Sequence, residues 1–172
     1  MKRIVLLLGL VVFLTACGAS ETFEVVEDII PVEPVASPQQ FYVSLPDETT
    51  TPTFQTDSEE LFLCRDYTIS KQILPSGDLE KTVVAVTGMP AEGLQIIKTT
   101  HAQFDRYDFV WTAAGEDGLQ LGRASVLDDG NFHYVLSTLS SEETAGELRE
   151  SIQDMYASCK LLSPDINLRT GS

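Results

Sequence analysis

Few residues of this chain belong to the types that commonly carry catalysis or bind metals. It has two histidines, His101 and His133, and three cysteines, Cys17, Cys64 and Cys159. A hydrolase needs a nucleophile, a base and a group that orients the base. Neither histidine lies in a motif that would place a nucleophile, because the chain has no G-x-S-x-G, H-E-x-x-H or C-x-x-C pattern. We therefore expect a protein that is not an enzyme, with surface or structural histidines.

Two short acidic turns are the remaining candidates for a cation site. DDGN at residues 128–131 resembles the opening of a calcium loop, but it lacks that loop's ligand spacing and its bidentate glutamate. GEDG at residues 115–118 has similar residue types. Aspartate, asparagine and glycine tolerate the backbone angles of tight turns, so both segments predict hairpin turns. Turns that join successive antiparallel strands lie at opposite ends of a sheet, which argues against a cation site shared by the two. We expect no metal and no cofactor.

The N-terminal segment ends at a cysteine whose surroundings indicate a role outside catalysis. Lys2 and Arg3 precede an apolar stretch at residues 4–14, which is shorter than the roughly 20 residues that cross a bilayer as a helix. A charged start, a short apolar run and small residues after it are typical of a secretory signal peptide. LTAC at residues 14–17 resembles the lipobox of bacterial lipoproteins.

The lipobox resemblance implies that the sulfur of Cys17 is alkylated with diacylglycerol and that a signal peptide, residues 1–16, is cleaved before it. Two acyl chains give stable anchoring, whereas one chain holds a protein only marginally. Cys17 is therefore expected to be a membrane tether. The mature protein is expected at the extracytoplasmic face of the cell membrane.

The charge balance excludes one class of partner. The chain has 11 basic and 26 acidic residues and a net charge of −15. Nucleic acid phosphates repel such a chain, and no basic patch in the sequence offsets the repulsion. Anionic lipid headgroups repel it as well, so membrane attachment should come from the lipid on Cys17. We expect no nucleic-acid partner, and place any protein partner in the cell envelope.

Cys64 and Cys159 remain as disulfide candidates if a lipid occupies Cys17, since secreted proteins can keep disulfides. A bridge would close a loop of about 95 residues, worth on the order of 4 kcal/mol in the chain-entropy model. Free cysteines also pack well in apolar cores. The residues alone leave the bridge and two separate buried thiols as alternatives.

Residues 17–56 differ in composition from the remainder of the chain. Five of the eight prolines lie there, mixed with Glu, Thr, Ser and Gln. Proline removes backbone donors and fixes φ, so this stretch predicts a flexible acidic linker. Its FEVVEDIIPVEPV segment alternates acids with Val and Ile, and could instead add as a strand to a partner or to the domain's own edge. A folded domain is predicted for residues 57–164 and a tail for 165–172.

The folded part shows mainly the period of two that marks half-buried strands. Tyr67, Ile69, Lys71 and Ile73 alternate on one face of the first strand. PSGD is a turn that joins this strand to KTVVAVTG, which is rich in β-branched residues, so the two predict a hairpin. MPAEG predicts a loop or a single helical turn. The predicted strands are LFLCRDYTISKQIL, KTVVAVTG, LQIIKTT, RYDFVWTAAG, LQLGRASVL and NFHYVLSTL.

The last element changes to a helical period. In SSEETAGELRESIQDMYASCKL, Ser140 and Glu143 have the spacing of a capping box, and Pro164 ends the element. The apolar stripe of this helix must bury against the sheet. The fold class expected is α+β: an antiparallel meander of about five to six strands with a C-terminal amphipathic helix packed on one face. The residues of the stripe are Ala145, Leu148, Ile152, Met155, Tyr156 and Cys159.

Three aromatic residues of RYDFVWTAAG, namely Tyr107, Phe109 and Trp111, lie on one face of their strand. We expect them to fill the core beneath the C-terminal helix. On an uncovered face they would instead form a binding surface.

The stretch from residue 107 to residue 161 resembles the C-terminal half of PsbP-like domains, and the resemblance extends over about residues 59–162. It implies an α/β/α sandwich around an antiparallel sheet, although the N-terminal helix common in such domains is not evident here. The family includes an extrinsic photosystem subunit, a Ran-binding nuclear transport factor and bacterial lipoproteins. The resemblance therefore implies a binding or assembly module, usually without catalysis. The matching residues are Arg123, Ala124, Asp129, Gly130, Tyr134 and SCKL at 158–161.

These observations favour a membrane-anchored extracytoplasmic lipoprotein that acts as a non-enzymatic protein-interaction or assembly module. The alternative is a lipoprotein that binds a small ligand or a divalent cation through the sheet face or the acidic turns. A hydrolase with an unrecognised site is the least favoured function. A pocket with converging polar groups would favour ligand binding, and a flat apolar patch would favour a protein partner.

Overall fold

The computed structural model describes residues 36–46, 51–115 and 118–162. The predicted signal peptide, Cys17, the FEVVEDIIPVEPV segment and the predicted tail at 165–172 lie outside the described residues. In the described ranges no helix is long and apolar enough to cross a membrane. The strands are β1 (Gln40–Tyr42), β2 (Phe54–Gln55), β3 (Glu59–Leu63), β4 (Tyr67–Pro75), β5 (Ile97–Thr100), β6 (Asp105–Gly115), β7 (Gly118–Asp128), β8 (Phe132–Ser141) and β9 (Lys160–Leu162). The helices are α1 (Leu79–Thr87), α2 (Glu142–Glu147) and α3 (Arg149–Ala157), with a 3-10 turn at Ala91–Gly93.

The main sheet has seven strands in the order β2-β3-β4-β8-β7-β6-β5, and every pair is antiparallel. β8 lies at its centre and pairs with both β4 and β7. β1 and β9 form a separate two-stranded sheet. The antiparallel sheet is as predicted, but it is larger than five to six strands. The short β2 and β5 extend its two edges.

Helices cover both faces of the main sheet. On one face Ile152, Met155 and Tyr156 of α3 are buried together with residues of β1 and β9. On the other face Val83 of α1 is buried against Phe109 and other residues of β6, β7 and β8. The C-terminal helix therefore packs on one face, as predicted. The three layers match the sandwich that the PsbP-like resemblance implies.

Alternate residues of the central strands supply the two cores. Tyr67 and Ile69 of β4 belong to the core beneath α3, which confirms the alternation predicted for this strand. In β8, Tyr134 belongs to the same core, whereas its neighbour Val135 belongs to the core beneath α1. The period of two along the sequence thus translates directly into two separate apolar layers.

The predicted strand KTVVAVTG is wrong, because this segment lies in α1. Asp78 caps the helix by accepting the backbone N–H of Glu80, and Gly88 ends it in the left-handed conformation at φ 70°. Val83 is fully buried against the sheet. Caps at both ends and burial of one face outweigh the β propensity of the valines. A helix, α1, therefore covers the second face of the sheet.

The predicted strand LFLCRDYTISKQIL contains two strands, β3 and β4. The backbone N–H of Cys64 donates to the carbonyl of Tyr67 and closes a tight turn between them. Cys64 consequently lies in this turn and not within the first strand. The turn keeps both flanking strands antiparallel, with Leu63 opposite Thr68.

The last part of the predicted linker belongs to the folded domain. β1 pairs with β9, and Phe41 is buried in the core beneath α3. The backbone N–H of Gln39 donates to the hydroxyl of Tyr134 at 2.8 Å. A flexible linker up to residue 56 is therefore wrong for this stretch. The sequence analysis missed β1 because the stretch is rich in proline and because a strand of three residues is too short to show an alternating period.

The predicted C-terminal helix begins later and is divided in two. Ser141, and not Ser140, is the N-cap, because its Oγ accepts the backbone N–H of Thr144. Ser140 is buried in β8. Leu148 separates α2 from α3. The predicted apolar stripe is confirmed in α3, where the buried residues are Ile152, Met155 and Tyr156.

Candidate binding groove

Of the two histidines, His133 is buried and His101 is exposed. His133 is fully buried between β8 and α1, with Nδ1 2.7 Å from Thr82 Oγ1 and Nε2 3.5 Å from an Asp128 carboxylate oxygen. A hydroxyl, an imidazole and a carboxylate in series resemble a hydrolase triad. Thr82 is only 5% exposed, however, so the cluster ties α1 to the sheet and presents no nucleophile to solvent. His101 is exposed and stacks beside Phe104.

The carboxylates of the DDGN turn accept hydrogen bonds from the backbone of the turn itself. Asp128 accepts the N–H of Gly130, and Asp129 accepts those of Asn131 and Phe132. Gly130 has φ 89°, which glycine adopts without strain. The predicted hairpin turn is confirmed here, and the β6–β7 hairpin closes at the opposite end of the sheet. Among the described residues no group of three or more His, Cys, Asp or Glu could hold a metal ion.

Cys64 and Cys159 border the same core, but no disulfide joins them in the structure. Burial raises the pKa of the Cys159 thiol to about 11, which disfavours the reactive thiolate. The bridge stays a prediction that intact-mass measurement decides. Reduction adds the mass of two hydrogens to a bridged chain and leaves a dithiol chain unchanged.

The surface feature best suited to binding is a groove between the α2–α3 segment and the sheet. The Tyr156 hydroxyl anchors α3 over β7 and β8, because it donates to the carbonyl of Arg123 at 2.5 Å and lies 3.1 Å from Thr138 Oγ1. α3 therefore leaves part of β6 uncovered, and Val110 is 63% exposed. The groove has a volume of about 530 Å³, within the usual range for ligand sites.

The lining of the groove combines an apolar floor with a few polar groups. Val110 and Leu121 lie on adjacent strands of the floor, and Ile152 of α3 forms part of the opposite wall. The polar lining residues are Thr112, Arg123, Thr138, Ser140 and Arg149.

Two arginines bring positive charge to the groove of a strongly acidic protein. The guanidinium carbon of Arg123 lies 4.3 Å from the centre of the Tyr156 ring, and Arg149 is exposed at the start of α3. Within the described part of the chain neither arginine forms a salt bridge, whereas Lys71 and Lys98 do. Sequence reasoning missed both arginines as binding residues. The signal available in the sequence was Arg123, which lies at an inward-facing position of the largely apolar strand β7.

One border of the groove is an open strand edge. β5 pairs with residues 105–108 of β6, and no described strand pairs with the same side of residues 109–115. We call residues 109–115 the open edge. Their sequence, FVWTAAG, contains no charged residue and no proline. Charged residues and proline usually protect exposed strand edges from pairing with another strand.

Phe109 and Trp111 lie on the opposite side of β6 from the groove floor. Both are buried in the core beneath α1, with ring centroids 6.0 Å apart. Their predicted place beneath the C-terminal helix is wrong, because that prediction lacked α1. The even-numbered neighbours Val110 and Thr112 instead line the groove on the α3 side, while Trp111 lines it on the α1 side together with Met89, Gly93 and Leu94.

A polar network fastens α3 beside the groove. Arg106 donates to both carboxylate oxygens of Asp108, at 2.8 and 2.9 Å, and to the carbonyl of Tyr156 at 3.1 Å. Ser125 Oγ donates to the same carboxylate. Burial opposes ionisation of Asp108, but the hydrogen bonds from Arg106 and Ser125 outweigh it and lower the pKa of this carboxyl. The helix position thus depends on an ionised Asp108.

Comparison with known proteins yields the fold. No protein-family model matches the chain, and no curated protein sequence matches it. The structure is similar to that of LpqN, a protein involved in cell envelope biogenesis of Mycobacterium tuberculosis, with a TM-score of 0.50 and 12% identity over 77% of this chain and 87% of that chain.

Two further solved structures align less well. A cyanobacterial PsbP from Synechocystis sp. gives a TM-score of 0.48 and 12% identity, covering 76% of this chain and 96% of that chain. A protein from Bacteroides thetaiotaomicron gives 0.48 and 9% identity, covering 72% of this chain and 45% of that chain. Identities this low relate folds and not functions.

Proposed function

We propose that this chain, whose fold is similar to that of LpqN, is a lipid-anchored, non-enzymatic protein-interaction module of the cell envelope. The lipid on Cys17 holds it at the extracytoplasmic face of the membrane. The folded domain binds a protein partner through the groove and the open edge. The involvement of LpqN in cell envelope biogenesis supports a role in the same compartment.

The observation that carries this proposal is the open edge beside an apolar groove. An unpaired strand edge offers main-chain donors and acceptors to an incoming strand, and adjacent pockets select its side chains. Val110 is among the most exposed large apolar residues of the described part, at 63%, and it lies on this edge. Exposed apolar surface next to unpaired backbone is typical of an interaction site.

Small-ligand binding is the second candidate function. Arg123, Arg149 and the hydroxyls of Thr138 and Ser140 converge on a cavity of suitable size. Divalent-cation binding has less support, because the DDGN carboxylates already accept backbone N–H groups. A hydrolase has the least support, since the His133 cluster is buried.

Replacing Cys17 by serine is expected to release the protein from the membrane. Without the thiol no diacylglycerol can be attached, and an acidic surface gives no electrostatic binding to anionic lipids. Cell fractionation and incorporation of a labelled fatty acid measure the effect. Cys64→Ser is the matched control and should keep both the label and the membrane location. Undiminished labelling of the Cys17→Ser protein would contradict the lipid anchor.

A photo-crosslinking residue at position 110, introduced in living cells, tests the partner site. We expect a discrete crosslinked protein band, because Val110 lies on the open edge. The control position is Val84, which is 42% exposed but belongs to α1. No band at position 110, or equal bands at both positions, would argue against a specific partner at the groove.

A further inference from the structure

We propose that the segment bound at the groove is an extended strand in which acidic and apolar residues alternate, with its carboxylates paired to Arg123 and Arg149. This inference rests on the proposed function, because it takes the groove and the open edge as the partner site. It names the chemistry by which the partner is recognised.

The backbone of the open edge selects an extended occupant. In a sheet every second residue of an edge strand directs its N–H and C=O outward, so residues 109–115 present a row of groups that a strand can satisfy. β5 already pairs antiparallel with residues 105–108 of β6, with Ile97 opposite Asp108. An added strand would extend the pairing along the same edge, where no charge or proline opposes it.

The side chains beside the edge select what the strand carries. Alternate residues of an added strand point to the groove face, next to Val110 and Thr112. Val110 lies directly opposite Arg123 in the β6–β7 register, so a side chain that passes Val110 approaches this guanidinium. Arg149 stands on the other wall. A long acidic side chain fits this position, because arginine pairs geometrically with carboxylates.

Charge complementarity makes the acidic strand the favoured occupant. Neither groove arginine has a carboxylate partner within salt-bridge distance among the described residues, although the chain is rich in acids. Arg106, by contrast, is fully engaged by Asp108. Asp108 attracts Arg123 through its charge alone, so a bound carboxylate would supply the hydrogen-bonded partner that both arginines lack among the described residues. The alternate apolar residues of the strand would point to the other face of the sheet, where Met89 and Leu94 also line the groove.

Titration of the full-length lipidated protein in detergent with synthetic peptides tests the inference. The probe is an acetylated octapeptide of alternating valine and glutamate, and the matched peptide replaces glutamate by lysine. Trp111, the single tryptophan of the chain, lines the groove at the open edge, and its fluorescence reports binding. We expect saturable binding of the acidic peptide, and at least tenfold weaker binding of the lysine peptide.

Protein variants locate the charge contacts. Arg149→Gln should weaken binding of the acidic peptide about tenfold, because it removes an exposed guanidinium that forms no salt bridge within the described residues. Arg65→Gln, at an exposed site outside the groove, is the matched control and should change nothing. Arg123→Gln should weaken binding further. Since it also removes the stacking on Tyr156, its thermal unfolding is measured first.

Two N-methylated probes test the strand addition itself. Methylation of the valine nitrogens or of the glutamate nitrogens removes the donors along one edge of the peptide. We expect one of the two to lose binding and the other to keep it.

The results separate the inference from the proposed function. Equal binding of both charged peptides, no effect of Arg149→Gln, or retained binding by both methylated probes would overturn the inference. Binding of laurate with no binding of the acidic peptide would overturn it in favour of a small amphiphile. In each case a crosslink at position 110 would still support the proposed function as a protein-interaction module. No crosslink there would contradict the proposed function independently.

Discussion

Gly122→Ala is expected to destabilise the domain by about 3 kcal/mol, close to the upper end of the cost of overpacking a core. A Cβ at this position would lie 2.2 Å from Trp111 Cε2 and 2.4 Å from Cδ2, far inside van der Waals contact. The Trp111 ring is buried beneath α1 and cannot yield without loosening that core. In an ordinary strand, alanine would be no worse than glycine. The expected loss is therefore steric and specific to this pair.

Urea unfolding followed by tryptophan fluorescence measures the effect of Gly122→Ala. Gly146→Ala in α2 is the matched control, because a Cβ there meets no atom within 4 Å and alanine favours a helix. We expect the control to be neutral or slightly stabilised. An unfolding midpoint for Gly122→Ala equal to that of the wild type would show that Trp111 does not pack on Gly122 in solution.

Asp108→Ala is expected to cost about 2–3 kcal/mol at neutral pH. The change removes both carboxylate oxygens that hold Arg106, and it also removes the acceptor of the Ser125 hydroxyl. The Arg106 side chain is only 17% exposed, so water can replace these bonds only in part. Because Arg106 also donates to the carbonyl of Tyr156, the loss should loosen α3 and the groove wall.

The same variant gives a prediction for acid unfolding. The pKa of Asp108 is lowered in the folded protein: burial opposes ionisation, but the hydrogen bonds from Arg106 and Ser125 are stronger together. A group with a lowered pKa stabilises the fold above its unfolded value, near 3.8, and this contribution disappears as the pH falls through the folded value. Wild-type stability should therefore drop below about pH 4, and its advantage over Asp108→Ala should shrink there.

Chemical unfolding between pH 3 and pH 7 tests both statements, with Asp105→Ala as the matched control. Asp105 lies on the same strand and pairs with Lys98, but the Lys98 side chain is 51% exposed, whereas that of Arg106 is 17% exposed. Exposed ion pairs contribute little to stability, so the control should remain close to the wild type. Equal losses for the two variants, or a constant advantage of the wild type down to pH 3, would contradict the role of the Asp108 network.

The elements with a strong local signal could be predicted from the sequence. β6, β7 and β8 follow from alternating apolar residues, and GEDG and DDGN mark their turns. The apolar stripe of the C-terminal helix follows from its period. The absence of catalytic motifs and the net negative charge can likewise be read directly from the sequence. Cys17 and its lipobox remain a prediction, because they lie outside the described residues.

The tertiary structure decided what depends on distant partners. KTVVAVTG is helical because its buried face meets β6, β7 and β8, and a local preference for strands cannot anticipate that burial. β1 is a strand only because β9, more than a hundred residues later, pairs with it. The groove arises because α3 is anchored at Tyr156 and leaves Val110 uncovered. Period determined the central strands and the apolar stripe of the C-terminal helix, whereas long-range packing determined the second helical layer and which arginines and which strand edge border the groove.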